Sequence, residues 1–226
     1  MKDFKLNTIY AVRRANLATW MAKEGIGAVM FQDTQDLRSS NVRYFTGHPM
    51  DAIFVLAVDG SSILCPWDIN LANEKAYVDK IVPLNKFDRK PVLALKELLK
   101  TLQVPSDSKI EIPKTTAYPQ FLHYVDQLSN MHIICREEGS ATMVQAMRAI
   151  KDDYELSCIR KAADTANNII DLIENQTKSN TIRTETDVAL LIEKELRKAG
   201  CEKTGFETLV AGPERSWGIH CFPGYT

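Results

Sequence analysis

Two rhythms of apolar positions alternate through the first part of the chain, and only one persists in the second. Ile9, Val12, Leu17, Trp20 and Met21 recur at helical spacing, predicting an amphipathic helix over 8–24 with these side chains toward a core. Gly25 and Gly27 break it and lead into a short apolar run at 28–31, read as a strand. Further strands are expected at 42–45, 53–58 and 62–65, the last two joined through Asp59-Gly60 as a two-residue hairpin turn. Leu93, Leu95, Leu98, Leu99 and Leu102 give a helix over about 90–102 a broad apolar face. A strand at 109–112, a helix near 117–129 and a strand at 132–135 complete the pattern, which is that of a mixed α/β layer fold.

From Ser140 onward the chain reads as helical for nearly sixty residues. Leu156, Ile159, Ala163, Ala166, Ile170 and Ile173 fall on one stripe of a long helix that begins near Asp152. Asp152 and Asp153 place negative charge at its N-terminus, where the helix dipole favours it. A second helix spans about 185–199, with Thr184 or Thr186 as its cap and Gly200 just past its end. Residues 206–210 then look strand-like. The change of texture divides the chain into domains at 1–138 and 139–226, with the boundary inside 138–150.

Composition narrows the function classes. The chain has 226 residues, enough for one large or two modest domains that each bury a core. With 28 basic against 29 acidic side chains, nothing in the charge balance points to nucleic acid or a membrane surface as partner. No stretch approaches the roughly 20 apolar residues of a membrane span, and Met1 to Lys5 does not open a signal peptide. The five cysteines are scattered without a C-x-x-C pair, which argues against a disulfide framework or structural zinc and fits a reducing cytoplasm. No phosphate-binding glycine motif is present.

Several short elements occur in a telling order. Arg148, Lys151, Glu155, Leu156, Ile159, Arg160 and Ala162 follow the pattern R-x-x-K-x-x-x-E-[LI]-x-x-[IL]-[RK]-x-A. Downstream stand Thr184-Glu185-Thr186-Asp187, a run from Gly205 to Gly212, and Ser216, His220 and Pro223 in the spacing S-x-x-x-H-x-x-P. Upstream, Asn41 to Gly47 matches N-[VI]-x-Y-x-[TS]-G. Together these resemble the pita-bread hydrolases, the family of aminopeptidase P, prolidase and creatinase. The resemblance implies an α/β fold: a creatinase/prolidase-type N-terminal domain, a mixed sheet flanked by helices, followed by an incomplete α+β pita-bread catalytic domain.

For function, the resemblance implies the N-terminal part of a cytoplasmic, metal-dependent Xaa-Pro aminopeptidase or dipeptidase. In that family two divalent cations, commonly manganese, sit on two aspartates, one histidine and two glutamates that follow the loop seen at 216–223. None of these ligands is assignable in this chain, so residues 1–226 are expected to hold no metal and to be inactive alone. His220 matches the family's substrate-contacting histidine and is the candidate catalytic and substrate-binding residue, a proton donor or acceptor at the scissile amide. His48, Arg43 and Trp67 are candidate substrate-binding residues supplied across the interface of a homodimer. For His48 the plainer alternative is a loop histidine held by Pro49. The substrate is expected to be a peptide or small amide. Two other readings use the same fold: a metal-free creatinase-like C–N hydrolase, and a non-catalytic member that binds peptides or proteins in the cleft. Cys221 adjoins His220, but neighbours in an extended segment point to opposite sides and cannot form a nucleophile–base pair. His123 and His132 read as structural. A partial second domain is also expected to leave apolar stripes, and a strand edge near 208–210, open to water.

Overall fold

A computed structural model of the chain describes residues 4–224. They fall into two compact units divided after Ile150.

The first unit is a six-stranded mixed sheet between two layers of helices. Its strands are β1 (Ile26–Asp33), β2 (Ala52–Ala57), β3 (Ser62–Pro66), β4 (Lys80–Ile81), β5 (Lys109–Glu111) and β6 (His132–Ile134). They lie in the order β4-β3-β2-β1-β5-β6. The β1–β2 and β2–β3 pairs are antiparallel, and the other pairs are parallel. Alternation along the central strands sorts their side chains to two faces. Ala28, Met30, Ile53, Val55, Ile63 and Cys65 meet α4 (Pro91–Thr101) and α5 (Tyr118–Gln127) through Leu95, Leu98, Leu99 and Tyr124. Val29, Phe31, Phe54, Leu56 and Leu64 meet α1 (Phe4–Glu24), α2 (Ser40–Thr46), α3 (Ile69–Lys75) and α6 (Ser140–Ala149). With both faces covered, β2 is buried at every position, which is why it reads as a continuous apolar run. On the second face Phe45 stacks against both Phe31 and Phe54, with ring centroids 5.5 and 5.8 Å apart.

Neither α3 nor β4 is among the elements expected from the sequence, and four further details depart from it. The segment expected as a strand at 42–45 is helix α2. Val42, Phe45 and Thr46 are its buried positions, a 3.6-residue spacing, and Gly47 ends it at φ 76° with its N–H on the Arg43 carbonyl at 2.8 Å. In α1, Val12 is exposed while Arg13 and Arg14 are buried. Arg14 Nη1 donates to the carbonyls of Phe45 (3.0 Å) and Tyr77 (2.5 Å), and Arg13 Nη1 to Tyr44 O (2.9 Å). The Tyr44 and Phe45 carbonyls are ones that α2 leaves without helical partners at its end, and Tyr77 O lies just past α3. The hairpin loop has three residues, not two: Ala57 N–H bonds Ser61 O, Gly60 N–H bonds Ala57 O, and only Gly60 takes positive φ. Residues 206–210 form no strand among the described residues.

α6 belongs to the first unit. Val144 is fully buried in the second-face core, and Arg148 Nη1 donates to Asn41 Oδ1 at 3.2 Å. Its start is held by Glu111, whose buried carboxylate accepts the Ser140 N–H and Arg136 Nε (2.9 Å).

The second unit holds α7 (Asp153–Lys178) and α8 (Glu185–Lys198), both opened by reciprocal capping boxes, Asp152 with Glu155 and Thr184 with Asp187. Ile159 and Ile170 on the α7 stripe are more than half exposed, so this stripe is open to water as expected. The remainder, 201–224, is irregular backbone.

Candidate functional site

In the second unit the irregular segment is tied down by one buried carboxylate. Glu185 is the first residue of α8, beside its Thr184 cap. Its Oε1 accepts Gly212 N–H at 2.8 Å; its Oε2 accepts Gly224 N–H at 2.8 Å and Arg215 Nη1 at 2.6 Å. Arg215 Nη2 reaches on to Phe222 O at 3.0 Å, and Thr186 N–H and Oγ1 bond Gly224 O at 3.0 and 2.8 Å. The amides of Gly212 and Gly224, then the Arg215 charge, hold the Glu185 carboxyl below the usual carboxylate range. Sequence reasoning met Glu185 only as part of the Thr184-Glu185-Thr186-Asp187 element of the family resemblance and gave Arg215 no role. No local signal links them, since the contacts span 27 to 39 residues.

This clamp presents a loop whose tip carries Trp217, Ile219 and His220, all exposed. Cys221 turns inward, its thiol on the carbonyls of Arg215 (3.0 Å) and Gly218 (3.3 Å). The pair therefore faces opposite ways, and Cys221 is not available to His220 as a nucleophile. Val210 N–H reaches Cys221 O at 3.0 Å, which closes the loop at the segment expected to be an open strand edge. Ser216 donates to Pro213 O at 3.0 Å.

In the first unit, the end of the sheet where β1 and β3 finish and β2 begins forms a hollow of about 500 Å³. Thr34, Arg38, Met50, Asp51, Trp67 and Asp68 are on its wall. Arg38 bridges Asp51 (2.6 Å) and the buried Asp33 (3.5 Å). Trp67 is more than half exposed, and the Arg89 guanidinium lies over its ring at 4.4 Å from the centroid. Of the residues predicted for this domain, the structure brings only Trp67 to the hollow wall. Arg43 lies on the exposed side of α2 and does not line the hollow. His48 is fully buried, and neither ring nitrogen has a hydrogen-bond partner. Burial lowers its pKa, against the opposing pull of Asp68, Asp33 and Asp51.

Among the described residues no three His, Cys, Asp or Glu side chains converge as a metal ion requires. The arrangement offers hydrogen-bonding groups and an exposed imidazole, but no donor set for a metal pair.

A profile of the Creatinase/Prolidase N-terminal domain matches residues 13–150. The chain belongs to that family. It is 25% identical over 199 residues to an Xaa-Pro dipeptidase of Pyrococcus horikoshii, covering 87% of this chain and 51% of that protein. It is 27% identical over 191 residues to an uncharacterized peptidase of Staphylococcus aureus, covering 81% and 50%. The chain thus spans about half the length of the curated relatives it matches. Among solved structures, the X-Pro aminopeptidase of Thermotoga maritima superposes with a TM-score of 0.74 at 21% identity, covering 94% of this chain and 56% of that one. The prolidase of Pyrococcus furiosus gives 0.70 at 21%, covering 93% and 60%. At such identities these two establish a shared fold.

Proposed function

We propose that this chain is the N-terminal part of a cytoplasmic, metal-dependent peptidase acting on Xaa-Pro bonds, and that residues 1–226 alone are inactive. The observation that carries this is the similarity to the P. horikoshii Xaa-Pro dipeptidase, which runs through 87% of the chain and so through both units. The Glu185 clamp supports it, because it fixes the backbone around an exposed imidazole that is free to meet a substrate amide.

In this reading His220 donates a hydrogen bond to the scissile amide or exchanges a proton with it. Glu185 and Arg215 position the loop and do not touch the substrate. Trp67, with Arg43 and His48, serves the substrate site of a partner subunit in a homodimer. Trp67 is exposed enough to do so as it stands, whereas His48 would first have to turn out of the core. The divalent pair, manganese on the family pattern, would supply a hydroxide near neutral pH. It belongs to the proposal for the whole protein, since the described residues assemble no donor set for it.

The test pairs two proteins. Purified residues 1–226 with manganese are expected to leave Xaa-Pro dipeptides and tripeptides intact. A chain extended to the relatives' full length is expected to hydrolyse them, to lose activity to chelator, and to fall by about 10²–10⁴ in kcat with His220→Ala. Turnover by residues 1–226 would overturn their inactivity. An extended chain that folds, binds manganese and leaves every Xaa-Pro substrate uncut would overturn the peptidase assignment. Light scattering of the extended chain reports the dimer directly.

A further inference from the structure

His48 lies in the segment 47–51 that joins α2 to β2 and runs into the wall of the hollow at Met50 and Asp51. The ring is fully buried with both nitrogens unpartnered. Its backbone N–H is satisfied locally by Thr46 Oγ1 at 3.1 Å. A neutral imidazole carries one donor and one acceptor; an imidazolium carries two donors. A buried position with no acceptor in reach accommodates the first poorly and the second much worse.

Three carboxylates act on the ring electrostatically: Asp68, Asp33 and Asp51. Each already has work in the neutral state. Asp33 and Asp51 hold Arg38, and Asp33 Oδ1 also accepts Ser39 N–H at 2.8 Å. Asp51 Oδ2 accepts Gln35 N–H at 3.2 Å. Asp68 caps α3, its Oδ1 accepting Asn70 and Leu71 N–H at 2.9 and 3.0 Å. The other charged or titratable neighbours of the segment are Tyr10 and Lys75, whose hydroxyl and main-chain carbonyl crowd Gly47, and Arg14, bonded to the carbonyls of Phe45 and Tyr77. The Tyr10 hydroxyl and the Lys75 carbonyl lie beside Gly47, while both His48 ring nitrogens are without a partner.

We propose that His48 is an acid-operated latch on the hollow. Neutral, it packs beneath the 47–51 segment and leaves Arg38 bridging Asp33 and Asp51. Protonated, it must gain a carboxylate, by drawing Asp51 from Arg38 or Asp68 from the start of α3, or else open the segment to water. Arg38, Asp51 and Asp68 all line the hollow, so each route reshapes it. The direction of the imidazole's shift, downward through burial, agrees with a ring kept neutral near pH 7.

The experiment is a pH titration of the full chain by NMR, following the four histidine ring signals and the Trp67 indole N–H, with His48→Phe to assign the buried ring. The expected result is a His48 midpoint below 6.5, the ordinary value, with the Trp67 signal moving at that same midpoint and losing its pH response in His48→Phe. The linked folding constant falls by up to about tenfold between pH 7.5 and 5.5 in the parent chain and stays flat in the variant. A His48 midpoint at or above 6.5, or a Trp67 response that persists without the imidazole, overturns the latch. Should His48→Phe not fold, the parent chain decides alone: unequal midpoints for His48 and Trp67 overturn it, and a shared one below 6.5 supports it.

Discussion

Gly139 stands against the buried Glu111 carboxylate at the start of α6, and adding one methyl group there tests that packing. A Cβ at this position would fall 2.3 Å from Glu111 Oε1, 2.9 Å from its Cδ and 2.8 Å from Arg136 Nε. Glu111 is 2% exposed, so it has no solvent into which to retreat. Moving it sacrifices geometry with both the Ser140 amide and Arg136. Hydrogen bonds to a charged group contribute about 1.5–3 kcal/mol, and overpacking a filled site costs about 1–3 kcal/mol. Gly139→Ala should therefore destabilise the first unit by about 3 kcal/mol. Once Glu111→Ala has removed the obstacle, the same methyl meets only the Arg136 side chain, about a third exposed and able to shift toward Glu24. Its cost should then drop below about 1 kcal/mol, a coupling of roughly 2 kcal/mol between sites in direct contact. Urea unfolding of the four proteins of this cycle at pH 7, with hydrogen exchange at the Ser140 amide as the local probe, measures it. Additive effects, with coupling under about 0.5 kcal/mol, would refute the close packing of Gly139 on Glu111.

Two further outcomes follow from the buried groups. Cys65 is fully buried in β3 and its thiol is pushed up to about 12 by burial, whereas Cys158 is exposed on α7; iodoacetamide at pH 8 should modify Cys158 readily and Cys65 only on unfolding, as read by peptide mass, and comparable rates would contradict the packing of β3. Glu185, whose ordinary value is 4.5, is held lower in the folded chain, so its stabilisation is complete above that pH and is lost as pH falls through the folded value. Glu185→Gln should speed exchange of the Gly212 and Gly224 amides at neutral pH and remove that acid-side loss; unchanged exchange at both glycines would show that the loop does not depend on the carboxylate.

Five of the six strands were legible as short apolar runs, because both faces of the sheet are covered; β4, two residues long at Lys80–Ile81, was not. Met30 and Phe31, or Phe54 and Val55, go to opposite cores, and the apolar runs they belong to have strand length. Helix α2 was not legible from the same cues. Val42, Tyr44 and Phe45 are strand-favouring residues, and seven residues are too few for periodicity to outvote them. The signals that favour a helix are Thr46 and Gly47 at its end, where a left-handed residue closes the last turn. Arg13 and Arg14 were hidden for a different reason. Their charge marks them as exposed, yet long aliphatic stems let a guanidinium lie in the core when carbonyls await it. Those carbonyls belong to Tyr44, Phe45 and Tyr77, 31 to 63 residues away, and no local pattern reveals them.

The loop around His220 divides in the same way between what spacing can encode and what only folding assembles. The spacing of Ser216, His220 and Pro223 marks the loop, while Thr184 and Asp187 announce a helix start. Glu185, between those two capping residues, would ordinarily sit in water favouring the helix dipole. Instead the fold buries it, because Gly212 and Gly224 bring two free amides and Arg215 a charge to the same point. A capping signature thus conceals the group that organises the loop. The position of His220 is consequently a property of Glu185 as much as of its own neighbours. Disturbing the carboxylate should move the imidazole without altering its chemistry, and a helix-start glutamate whose carboxylate meets distant glycine amides is the feature to seek in such a loop.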